Sequence, residues 1–138
     1  MISFALNHIS WFMVVAAAAI GFIVGMLWYS PMLFGNTWMR LSGIMVDPAA
    51  NIGFYLANEF VGLLLQAYTL AWILERTNAL GLVDAILVAS MLSFCLIGVN
   101  QWCGVMWSRR PRELFLVYQG ATLMTFLSMA LVFVYVAV

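Results

Sequence analysis

Glu59 is the only carboxylic acid lying well inside a long apolar run of this sequence, and it is accompanied by five amides, Asn58, Gln66, Asn100, Gln101 and Gln119. An acid among amides can hold a cation, a proton or the polar head of a ligand. The same groups can also form a hydrogen-bonded knot, with Glu59 neutral or paired to a loop arginine, because burial in apolar surroundings favours the uncharged carboxyl. Both readings stand on the residues alone. Insertion into a membrane charges about 2.5–3.5 kcal/mol for an acid near mid-depth, so an acid kept there suggests a built arrangement. No Ser-His-Asp, Cys-His or paired-carboxylate set can be assembled beside it. Glycine-rich phosphate loops and haem or zinc spacings are absent too. The expectation is therefore a protein that is not an enzyme and has no cofactor and no metal. His8, the sole histidine, falls at a membrane rim as a hydrated interfacial residue. Cys95 and Cys103 lie about 12 Å apart along one helix axis, too far for a disulfide.

These polar groups sit in a chain of 138 residues that is 67% hydrophobic and 7% charged, with a mean hydropathy of +1.09. Soluble domains carry about 25% charged residues. Five arginines balance five acids with no lysine, so no basic stripe exists for nucleic acid. Four apolar runs, Ile9 to Trp28, Ile52 to Leu74, Leu82 to Trp107 and Leu114 to Val136, each reach the length of about 20 residues that spans a bilayer. They are continuous rather than alternating, which selects helices over barrel strands. The predicted fold is an all-α, integral membrane four-helix bundle, a single transmembrane domain over residues 1–138. No Lys or Arg precedes Arg40, which argues against a cleaved signal peptide at the first run.

Four spans put both termini on one side. The first and third loops hold Arg40, Arg109, Arg110 and Arg112, and the opposite face holds Arg76. The positive-inside rule assigns the basic loops to the cytoplasm and both termini to the periplasmic side of an inner membrane. Trp28, Tyr29, Trp38 and Trp107 then mark the inner headgroup level, and Trp11, Trp72 and Tyr135 the outer one. On this scale Glu59 lies about 10 Å below the inner surface, at nearly the depth of Asn100, Gln101 and Gln119.

Helices in lipid join through close packing and hydrogen bonds rather than through apolar burial. Ala17, Gly21 and Gly25 make a small-residue ridge on the first span, which predicts a close helix contact. Glu59, Gly62, Gln66 and Thr69 share one face of the second span. Ser90, Ser93, Asn100 and Gly104 share one of the third, and Ala121, Thr125 and Ser128 one of the fourth. These stripes are expected to meet in a semi-polar seam.

Between the first two spans Pro31 stops the helix near Ser30. Phe34, Trp38 and Leu41 recur at helical spacing, which predicts a short interfacial amphipathic segment, and Asp47-Pro48 predicts a turn. The motif Trp28-Tyr29-Ser30-Pro31, Phe34-Gly35 and Trp38-Met39-Arg40, with Arg110-Pro111, Leu114-Phe115-Leu116 and Gly120 later, resembles the signature of a bacterial membrane family, domain of unknown function 1761. The resemblance covers nearly the whole chain and implies four helices in a bacterial inner membrane, with no activity attached. Tyr118-Gln119-Gly120 stands where that family often has Asn-Ala-Gly-Tyr, so a role for that Asn does not carry over.

The lipid bilayer is the first expected partner, followed by further copies of the chain or other membrane subunits. The leading functional expectation is a non-catalytic oligomeric scaffold or accessory subunit of a larger membrane complex. The alternative is a small oligomeric transporter or channel that uses the polar layer around Glu59.

Overall fold

The computed structural model describes residues 9–45 and 47–136, and within them all regular structure is helical. His8 lies outside the described residues. Four helices are long and apolar enough to cross a membrane, Trp11–Trp28, Ile52–Arg76, Leu82–Trp107 and Glu113–Val136. The expected spans are recovered, with edges moved by at most two residues.

The chain order is α1 (Trp11–Trp28), α2 (Gly35–Ser42), α3 (Ile52–Arg76), α4 (Leu82–Met91), a π-helical stretch (Leu92–Gly98), α5 (Val99–Trp107) and α6 (Glu113–Val136). Pro31 ends α1 as expected, and α2 begins after a tight turn. Gly43, at φ 69°, closes α2 in the left-handed conformation that glycine adopts without strain. Asp47 then caps a turn, its Oδ1 accepting the Ala49 N–H at 2.9 Å. The Asn51 Oδ1 accepts the Phe54 N–H at 3.1 Å and starts α3.

α6 is the central helix, packing against α1, α4, the π stretch, α5 and α2. Its partners approach on small residues: Ala17 and Ala18 of α1, Ala85 and Ala89 of α4, and its own Ala121 and Ala130, all buried. α3 is placed differently. It seals Leu63, Ala67, Leu70 and Leu74 into the core, chiefly against α1, and barely touches α6 or the third span. A gap is left between α3 and the third span.

The ridge on α1 is shorter than its spacing suggests. Ala17 and Gly21 are buried, and a Cβ at Gly21 would lie 3.2 Å from Thr125 Cγ2 and 3.3 Å from Met129 Cγ. At Gly25 the same test meets nothing within 4 Å. Gly25 is therefore not a packing residue, because the facing helices have diverged by that level.

The π stretch overturns the stripe expected on the third span. A π turn takes in one residue more than an α turn for about the same rotation, so the inward face slips by one position. Near its start Ser93 is fully buried and at its end Gly98 is buried; after it Asn100 and Gly104 face outward, while Gln101 is half-buried and Val105 buried. The seam runs through Ser93, Gly98, Gln101 and Val105.

Candidate functional site

The gap between α3 and the third span opens into a cavity of about 510 Å³, lined from all four spans. α1 supplies Gly21, Phe22, Gly25 and Met26, and α3 supplies Tyr55, Leu56, Glu59, Leu63 and Gln66. Ile97 and Gln101 come from the third span, and Ala121, Thr122 and Thr125 from α6. Tyr29, which caps α1, completes the wall. A second hollow of about 230 Å³ continues along the same gap, sharing Gln66 and Ile97 and otherwise walled by Leu65, Thr69, Leu70, Leu92, Leu96 and Phe126.

Of the six polar residues singled out in the sequence, three line the cavity and three do not. Glu59, Gln66 and Gln101 meet there. Asn58 and Asn100 line neither hollow; they are exposed, as Glu59 and Gln66 are, and each turns its Nδ2 back to its own helix, donating to Phe54 O at 2.8 Å and Leu96 O at 3.0 Å. Depth alone grouped them with Glu59; their helical phase turns them away. Gln119 is buried behind the cavity wall, where its Nε2 donates to Ser93 Oγ at 2.9 Å. Its Oε1 finds no partner among the described residues and sits against Gly98, where a Cβ would collide with it.

Gln101 is held in one orientation. Its Nε2 donates to Thr122 Oγ1 at 2.8 Å, and that hydroxyl donates to Tyr118 O at 3.0 Å. The Gln101 Oε1 is shielded and has no partner among the described residues. Partial burial pushes the Tyr29 phenol well above its ordinary pKa, with smaller electrostatic contributions from Tyr118 and Glu59 in the same sense. Tyr29 thus stays protonated and able to donate. Tyr55 and Thr122 were not singled out in the sequence, and Tyr29 only within the family motif and the aromatic belt. The nearest signal for Thr122 was the neighbouring small-residue stripe.

The buried Ser93–Gln119 pair makes a differential prediction. Ser93→Ala leaves Gln119 with neither end bonded and is expected to cost about 1–3 kcal/mol. Gln119→Leu leaves the Ser93 hydroxyl without this bond but also removes an oxygen that already lacks a partner, so it is expected to cost less. Thermal unfolding of both variants in mild detergent checks the order, and equal losses would contradict it.

The motif after α1 reaches the site through Tyr29. The Trp28 indole N–H donates to Val117 O at 3.0 Å, across to α6. Its ring lies 4.4 Å from that of Phe34 and against Gly120, which has no side chain to obstruct it. Ser30 Oγ donates to Leu27 O at 2.7 Å, and Phe34 and Gly35 give their N–H groups to Trp28 O at 2.9 Å and Ser30 O at 3.0 Å. Tyr29 and Trp38 meet edge to face at 5.7 Å. Arg110 and Pro111 are exposed in the turn before α6, with Arg110 N–H on Val105 O at 3.1 Å and Pro111 O accepting from Leu114. The motif thus fastens the α1 end to α6 and sets Tyr29 at the cavity mouth.

No curated protein and no solved structure gives a match. The pattern of the family described as protein of unknown function (DUF1761) matches residues 12–134, and the chain belongs to that family.

Proposed function

We propose that this chain is a non-catalytic membrane protein that takes a ligand into the cleft around Glu59. The observation that carries the reading is the cavity itself, which joins a carboxylic acid, two amides and two tyrosines in one space of about 510 Å³. Small-molecule sites commonly occupy about 300–1,000 Å³ and combine apolar walls with a few polar groups. A cleft that opens sideways between helices receives its occupant from the membrane. A transporter is the extension of this reading in which the same cleft opens to both faces of an oligomer.

The accessory-subunit reading has its own support. Asn58, Thr69 and a run of large apolar residues on α3, Phe54, Val61 and Leu65 among them, stay exposed, and another membrane segment could cover them. For orientation, the basic first and third loops favour the cytoplasmic side of an inner membrane, with periplasmic termini.

Gly25→Leu puts a branched side chain into the cleft at a position where nothing lies within 4 Å of an added Cβ. Native mass spectrometry is expected to show a small-molecule adduct on the wild-type chain and none on Gly25→Leu, at closely similar melting temperatures. Bare wild-type chains, or the same adduct on both, would remove the ligand reading. Release of the wild type only with unrelated subunits would favour the accessory role.

A further inference from the structure

Glu59 stands where the two hollows can serve the two ends of one molecule. The larger hollow holds the polar groups, with Glu59, Gln66 and Gln101 offering oxygen and the rings of Phe22, Tyr29 and Tyr55 around them. The smaller one continues from Gln66 and Ile97 between Leu65, Leu92 and Leu96 and is almost wholly apolar. Glu59 and Thr69 are ten residues apart on α3, about 15 Å along its axis. The polar end lies toward Tyr29 and the tryptophan belt, and the apolar hollow crosses the middle of α3, with Thr69 seven residues before the helix end at Arg76 as Glu59 is seven after its start at Ile52. A lipid-derived molecule in the adjoining leaflet has the same polarity along its length.

The charge of the head follows from the lining. Among the described residues no arginine lines either hollow, and Glu59 is the only acid in them. A single carboxylate with aromatic faces suits an organic ammonium group, which aromatic rings attract through their electron-rich faces. A divalent metal would want several more oxygen ligands, and the described residues contain no cluster of three His, Cys, Asp or Glu. An anionic head would meet the Glu59 charge with no cation to offset it. In the low-dielectric cleft a pair of opposite charges is tolerated where either one alone is costly.

We propose that the cleft binds a single-tailed cationic amphiphile, its ammonium head beside Glu59 and its tail in the hollow between Leu65 and Leu96. The assignment rests on the ligand reading above and names the class of ligand.

The test uses the full chain in nonionic detergent, with dodecyltrimethylammonium as probe. A hydrophobic carbodiimide is expected to modify Glu59, with Glu59→Gln as the unlabelled control. Dodecyltrimethylammonium should slow that labelling at least tenfold, while tetramethylammonium and dodecyl sulfate leave it unchanged. Gly25→Leu should still be labelled but no longer protected. Protection by the sulfate as strong as by the ammonium, or protection that survives in Gly25→Leu, overturns the proposal. So does an absence of protection by dodecyltrimethylammonium. In that last case, a native adduct still lost from Gly25→Leu would retain the ligand reading and reject only the cationic class. Loss of both results would reject both. Crosslinking that seats a helix of a second copy between α3 and the third span would also overturn the proposal.

Discussion

Gly35→Ala is expected to lower the melting temperature of the detergent-solubilised chain more than any other single methyl addition in the loop after α1. An added Cβ there would fall on the carbonyl oxygen of Tyr29, with the Ser30 carbonyl oxygen at 2.8 Å and its carbon at 2.9 Å. These are backbone atoms, which cannot swing aside as a side-chain tip would. Gly35 N–H also closes the turn onto Ser30 O, so the turn cannot open without losing that bond. The expected cost is about 3 kcal/mol, the upper part of the range for overpacked sites. Gly43→Ala provides a calibrated contrast. It has open space but a φ of 69°, so its cost is conformational, about 1 kcal/mol. A Gly35→Ala protein that melts with the wild type would show that the turn is not built as described.

The second large effect belongs to Trp28. Trp28→Ala is expected to cost about 3 kcal/mol, near the low end for losing a large aromatic because the ring is only half-buried. Part of that loss is the hydrogen bond to Val117 O. Trp28→Phe keeps an aromatic ring but removes that bond, worth about 1 kcal/mol, together with the ring atoms that lie against Gly120. Gly120→Ala drives a methyl into the indole and is expected to cost about 1–3 kcal/mol. Combined with Trp28→Phe, whose shorter ring vacates that space, it should cost clearly less than the two changes added together. Residues in contact couple in this way. Strict additivity in the double-mutant cycle would show that the two side chains are not in contact.

Trp28, Phe34, Gly35 and Gly120 belong to a motif legible as a pattern in the sequence, yet its physical meaning was not. A Trp beside a membrane boundary reads as a headgroup anchor, and only the fold discloses that this indole bonds across to another helix. The four spans were readable because hydrocarbon imposes one requirement on all of them, a helix of sufficient apolar length. Glu59, Gln66 and Gln101 were legible as polar groups at one depth. Asn58 and Asn100 were misplaced because depth fixes position along a helix and says nothing of rotation about it. For Asn100 the rotation depended on the π stretch, which no residue type announces. Gly25 was assigned to packing for the same kind of reason. Its spacing continues the ridge, and only the divergence of the neighbouring helices converts it from contact to cavity wall.

The extra residue wound into Leu92–Gly98 has a mechanical consequence. Each residue of an α-helix advances the azimuth by about 100°. If that stretch rewound as ordinary α-helix while α4 stayed seated on α6, α5 would turn on its own axis like a key. Gln101 would be carried out of the cleft and Asn100 swung toward it, with every apolar rung of α4 left where it was. The third span is thus a shaft with its coupling already cut at one level. The bond from Gln101 to Thr122, with Trp102 set edge-on against Phe115, acts as the detent that holds its lower half in the present setting.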